Sequence, residues 1–115
     1  MVDIFKALSE ESRLRILSLL LEGELCVCEI EACLKMTQSN ASRHLTALKR
    51  SGILESCRNA QWTYYRISDS FIQANRELWE YLIRRLRELP SYAADRQAFN
   101  ACKAQDICIC NKNPH

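Results

Sequence analysis

The side chains best able to do chemistry in this chain are its cysteines, above all Cys26 and Cys28 in the run Glu24-Leu25-Cys26-Val27-Cys28-Glu29-Ile30. Two thiols one residue apart cannot close an unstrained disulfide within a regular helix. Where a helix begins or is distorted, however, they can turn toward one soft ion. Thiolate ligands exclude magnesium and calcium and select soft ions. Cys33, Cys57, Cys102, Cys108 and Cys110 bring the total to seven cysteines in 115 residues, a high and odd number. No charged segment followed by a long apolar run leads from Met1. The longest apolar run, Ile16 to Leu21, is interrupted by Ser18 and falls far short of the roughly 20 residues that cross a bilayer. Reduced thiols in a cytoplasmic protein with no membrane partner are therefore expected, rather than a secreted disulfide framework. Thiols kept in quantity in such a compartment point to metal binding or redox sensing.

An enzyme is not expected, and neither is a catalytic cofactor. The chain has no Cys-x-x-Cys motif in a βαβ setting and no phosphate-cradling loop, and its only histidines are His44 and His115.

The elements that must position these thiols fit one domain by length, with 48% hydrophobic and 26% charged residues, ordinary for a globular protein. Gly occurs only at 23 and 52 and Pro only at 90 and 114, which favours uninterrupted helices. A short helix is predicted over Ile4–Leu8. Ser9-Glu10-Glu11-Ser12 offers an N-cap to the next, in which Leu14, Ile16-Leu17 and Leu20-Leu21 recur at helical spacing until Gly23. A third helix is predicted from Cys28 to Lys35, with Ile30, Cys33 and Leu34 on its buried face. A fourth, capped by Thr37 or Ser39, places Ala41, Leu45 and Leu48 inward and stops at Gly52. The period then changes. Residues Ile53–Arg58 and Trp62–Ile67 are rich in β-branched and aromatic types and flank Asn59-Ala60-Gln61, which reads as a hairpin. Beyond a cap at Ser68-Asp69-Ser70, the apolar residues Phe71, Ala74, Leu78, Tyr81-Leu82 and Leu86 predict one long amphipathic helix up to Pro90. Its apolar stripe exceeds what a small core needs, so a second copy of the chain is the expected partner. Periodicity is weak after Ser91, and Lys103–His115 is expected to be poorly ordered until something binds it. The division is thus a domain over 1–90 and a Cys-containing extension over 91–115.

Two helices joined by a tight turn and followed by a hairpin make a winged helix-turn-helix, a mainly α fold with a β-hairpin (α+β) and a long C-terminal dimerisation helix. Its second helix opens with Gln38-Ser39-Asn40-Ala41-Ser42-Arg43-His44, and a recognition helix meets base edges with its first turns. Gln38 and Asn40 suit adenine, Arg43 suits guanine or a phosphate, and Ser39 and Ser42 suit phosphate or water-bridged contacts. His44 belongs to the same helix. Arg58, Asn59 and Gln61 occupy the tip of the wing, within reach of the flanking backbone or minor groove. Residues 37–67 carry five cations against Glu55 alone, in a chain of net charge +2. A local anionic partner follows from that distribution, and the helix-turn-helix with its wing makes double-stranded DNA the expected one. By contrast, Glu22, Glu24, Glu29 and Glu31 surround the first thiol pair without a Lys or Arg.

Taken together, Glu24-Leu25-Cys26-Val27-Cys28-Glu29-Ile30, Gln38–Leu45, Gly52-Ile53-Leu54 and Trp62–Ile67 resemble the ArsR/SmtB metalloregulatory repressors, over roughly Phe5 to Leu86. The Glu-Leu-Cys-Val-Cys motif is similar to the thiolate-sensing branch that responds to arsenite, antimonite, cadmium or lead. The resemblance implies a homodimeric repressor that leaves operator DNA when its inducer binds Cys26 and Cys28. In the arsenite-sensing members a third Cys lies three residues after the second, where this chain has Glu31. Cys33 does not replace it, because Cys28 and Cys33 face nearly opposite sides of a helix and Cys33 falls in the apolar row. Candidates for the third ligand are Cys102, Cys108 and Cys110, or solvent. Cys57, in the first wing strand, reads as structural. The cadmium and lead sensors add an N-terminal Cys that this chain lacks, and a zinc site of His and carboxylates on the long helix is absent. The inducer implied is therefore trivalent arsenic or antimony, with a cadmium or lead response and a thiol-redox switch as the alternatives.

Overall fold

The structure, a computed structural model, describes residues 1–59 and 62–105. Helix α1 spans Val2–Ala7 and α2 Glu11–Leu20. The expected serine cap does not form: Glu10 occupies the N-cap, while the Ser9 hydroxyl donates to the Lys6 carbonyl at 2.6 Å and closes α1 instead. A two-residue strand, β1 (Leu25–Cys26), runs straight into α3 (Val27–Leu34), which is joined to α4 (Gln38–Arg50) by a tight turn. That turn needs a left-handed residue, and Lys35 supplies it at φ 55°, ψ 45°. The Met36 amide then reaches back to the Glu31 carbonyl at 3.1 Å. At the end of α4 the same device uses glycine. Gly52 (φ 86°) lets the Gly52 and Ile53 amides satisfy the Lys49 and Leu48 carbonyls, and buried Ile53 seals the turn.

Strands β2 (Leu54–Asn59) and β3 (Trp62–Ile67) form the predicted hairpin. The sequence reading missed β1, which adds to the other edge of β3 to give the antiparallel order β1-β3-β2. Its register pairs Leu25 with Tyr65 and Cys26 with Tyr64, and on the far side Tyr64 pairs with Cys57. Instead of one long helix after the wing there are two, α5 (Asp69–Ala74) and α6 (Arg76–Arg87). Asn75 breaks them at φ −131°, ψ 46°, with its side-chain amide bonded to the Phe71 carbonyl at 3.2 Å. An Asn side chain competes in this way with the helix ladder.

The segment after Pro90 departs furthest from expectation. It forms α7 (Tyr92–Gln105), which carries the chain through Lys103, where a poorly ordered tail was expected to start. Helix α7 lies against α2 and α3, and Phe99 and Cys102 join the same core as Leu17, Ile30, Leu45 and Leu48. A bidentate ion pair pins it: Arg15 of α2 meets both Asp95 oxygens at 2.8 and 3.0 Å, and Asp95 is 3% exposed. Among the described residues, no helix is long and apolar enough to cross a membrane.

Candidate functional site

The reading face comes first. Thr37 caps α4, its Oγ1 accepting from the Asn40 amide at 3.2 Å. Ala41, Leu45 and Leu48 are fully buried and seat the helix. Gln38, Ser39, Asn40, Ser42 and Arg43 consequently stand exposed on its first turns. His44 does not. It is 4% exposed and turned toward α2, where Arg13 Nε donates to its Nδ1 at 3.2 Å. Burial, then the neighbouring Arg43 cation, hold the His44 pKa below its ordinary value; Glu10 pulls it upward, and Arg13 adds a smaller downward push. His44 thus ties the reading helix to the scaffold, which corrects its place among the base-contacting residues. Ser39, Ser42 and Arg43 line an open groove of about 540 Å³ together with Arg13, Thr46 and Arg50. Thr46 and Arg50 were missed, although positions 39, 43, 46 and 50 follow the three-to-four-residue spacing of one helix face. Arg58 is exposed on β2 and Asn59 ends that strand. Gln61, Cys108 and Cys110 lie outside the described residues.

The first sulfur pair stands where β1 runs into α3. Cys26 is at once the last residue of β1 and the N-cap of α3, in an extended conformation (φ −85°, ψ 167°). That break from helical geometry lets two residues one apart turn together, and the Cys26 and Cys28 sulfurs approach to 3.0 Å, a contact rather than a bond. Glu29 completes a capping box in which sulfur replaces the usual hydroxyl: the Cys26 amide donates to Glu29 Oε1 at 3.0 Å, and the Cys26 side chain faces the Glu29 amide. The Glu29 carboxylate, which the sequence leaves without a nearby Lys or Arg, is fully buried and also accepts from Lys103 of α7 at 3.1 Å. Its charge is thereby matched. Trp62 and Tyr64 of the wing pack over the pair. The buried Trp62 indole N–H has no acceptor among the described residues. Cys57, expected to be structural, is instead exposed on β2.

Cys102 is not brought to Cys26 and Cys28. Its sulfur lies 2.9 Å from that of Cys33, and both residues are buried. Burial pushes the Cys33 thiol far up from its ordinary pKa, and its hydrogen bond to Cys102 adds to the effect. The buried reading of Cys33 agrees with this placement; its partner was not foreseen. Among the described residues, no group of three or more His, Cys, Asp or Glu side chains is placed to hold a metal ion. The arrangement brings two sulfurs together at a helix start, and among the described residues no third donor joins them.

The pattern of the family described as "Bacterial regulatory protein, arsR family" matches residues 10–56. An arsenic resistance transcriptional regulator of Pseudomonas putida is 46% identical over 65 residues, 56% of this chain and 51% of that protein. The arsenical resistance operon repressor of Escherichia coli is 44% identical over 68 residues, 58% of each. The chain thus spans between half and three-fifths of these relatives' length. A cadmium resistance regulatory protein homolog of Staphylococcus aureus is 38% identical, over 61% of this chain and 59% of that one. Among solved structures, the homodimeric winged helix-turn-helix domain of a possible ArsR-family regulator from Mycobacterium bovis is 34% identical with a TM-score of 0.62, covering 70% of this chain and 75% of that one.

Proposed function

Since this chain belongs to the arsR family of bacterial regulatory proteins, we propose that it is a homodimeric transcriptional repressor that leaves its operator when trivalent arsenic or antimony binds Cys26 and Cys28. One observation carries this reading: the sulfur pair lies at the residue that both caps α3 and pairs with the wing. The soft donor set supports a thiophilic ligand, because the nearby carboxylate is already committed to an amide and an ammonium.

Without inducer, the α4 helices of two subunits enter successive major grooves, about one helical turn apart. An apolar groove of about 270 Å³ supports the second copy. It is lined by Phe5, Leu14, Leu78, Tyr81 and Leu86 among others, with Phe5 54% and Tyr81 51% exposed. When Cys26 commits its sulfur to an inducer it withdraws from the Glu29 amide, and α3 loses its cap. A lost N-cap costs about 1 kcal/mol, which falls within the ~1–3 kcal/mol, or roughly 5–150-fold, typical of allosteric coupling. The disturbance has two routes outward, through the α3–α4 turn at Lys35 and through the Cys26–Tyr64 strand pairing into the wing. Cys108, Cys110 or a hydroxide completes the coordination. Cys102, held against Cys33, is not assigned that part.

Fluorescence anisotropy with the operator tests this reading. Arsenite is expected to weaken wild-type binding at least 5-fold and to leave the Cys26→Ser, Cys28→Ser double variant unmoved; equal responses overturn it. A divalent response is the second reading, favoured by the named cadmium regulator among the relatives. The two separate by proton release, since thiols lose protons to a divalent metal but exchange with the hydroxyls of arsenous acid to give water.

A further inference from the structure

A second sulfur pair lies apart from the proposed sensor. Cys33 belongs to α3 and Cys102 to the last turns of α7, and their Sγ atoms are 2.9 Å apart, less than about 1 Å beyond the length of a disulfide bond. The residues are 5% and 4% exposed, and the helices carrying them pack along each other. A soft ion here would need room and further donors. The nearest additional group is the Ala98 carbonyl, to which Cys33 Sγ donates at 3.7 Å, and among the described residues no third His, Cys, Asp or Glu completes a metal cluster. A disulfide needs neither: it removes two hydrogens and shortens one existing contact.

We propose that Cys33 and Cys102 form a redox modification site, oxidised by hydrogen peroxide to a disulfide that staples α7 onto α3. The Cys102 thiolate attacks one peroxide oxygen. The O–O bond breaks, the sulfur becomes a sulfenic acid, and the departing hydroxide takes up the proton given up by Cys102, forming water. Cys33 then attacks the Cys102 sulfur. The S–O bond breaks, the S–S bond forms, and the departing hydroxide leaves as a second water with the Cys33 proton. Two electrons and two protons pass from the thiols to the peroxide. Cys33, with its sulfur 2.9 Å away, is placed to resolve the sulfenic acid.

The test uses the full reduced chain, treated with peroxide in native buffer, blocked, digested without reductant and analysed by mass spectrometry. A Cys33–Cys102 cross-linked peptide, two hydrogens lighter than its separate halves, is expected. It should appear equally in wild type and in the Cys26→Ser, Cys28→Ser variant, and disappear in Cys102→Ser. A Cys102 sulfinic acid with Cys33 still reduced would overturn the proposal. So would bonds confined to the other cysteines, or a cross-link that forms only in urea.

Discussion

Two sulfur pairs of nearly equal separation, 3.0 Å at Cys26 and Cys28 and 2.9 Å at Cys33 and Cys102, share one helix and differ in almost everything else. The first stands at the start of α3, on a strand end paired with the wing, where backbone amides and a matched carboxylate surround it. The second joins α3 to α7 within the apolar core, and burial keeps the Cys33 thiol protonated. Close approach of two sulfurs therefore does not define their chemistry. At the helix start the sulfurs share their surroundings with a capping box and a strand end, whereas in the packed core a thiolate's charge is penalised.

The strongest way to break this contrast is to unpin α7. Arg15→Ala leaves Asp95 buried without its guanidinium, which should cost about 3 kcal/mol and lower Tm in a thermal melt. The same variant should speed alkylation of Cys102 in native buffer while leaving that of Cys57 unchanged; unaltered Cys102 labelling would mean that α7 does not protect the pair. A smaller effect tests the packing of the second pair. Cys33→Ala empties core volume and is expected to cost about 1–2 kcal/mol in urea unfolding, against about 0.5 kcal/mol or less for Cys57→Ser at its exposed position on β2. Comparable losses would mean that Cys33 does not fill the core.

Between the sulfur-bearing helix and the reading helix, Lys35 holds a left-handed conformation that glycine adopts without a steric penalty. Lys35→Gly should stabilise the chain by about 0.5–1 kcal/mol and leave the reactivity of both pairs as it was, as read by the urea midpoint and thiol labelling. The smallest effect concerns pH. The folded-state pKa of His44 is depressed below its ordinary 6.5, so the unfolded chain binds more protons once pH falls through that value. Stability present above about pH 6.5 should decline on acidification toward the lower folded pKa. His44→Gln should flatten the decline, and Cys33→Ala should run parallel to wild type.

The helix-turn-helix and the hairpin were legible because their residues obey local rules. Leu45 and Leu48 repeat at helical spacing, Gly52 ends the helix, and Trp62–Ile67 is rich in strand formers. Legibility failed where a partner lies far along the chain. Asp95 interrupts the apolar pattern of α7 with a buried charge, and only Arg15, 80 residues away, makes that position tolerable. β1 is two residues long and exists only because β3 offers it an edge. Asn75 breaks the long helix by a side-chain bond that no periodicity announces. His44 looked like a reading residue because its neighbours are polar, but its helical angle sets it beside Ala41, Leu45 and Leu48 on the buried face.

By itself the sequence determined the winged helix-turn-helix, the polar first turns of the reading helix and the pairing of Cys26 with Cys28. Each depends on contacts within a few residues, which spacing encodes. Only the tertiary structure decided that Cys26 caps α3 while joining the wing's sheet, that Glu29 is matched by Lys103, and that Cys33 meets Cys102 across 69 residues. Those contacts follow from how helices and strands pack once formed, and packing brings together residues that no local period relates.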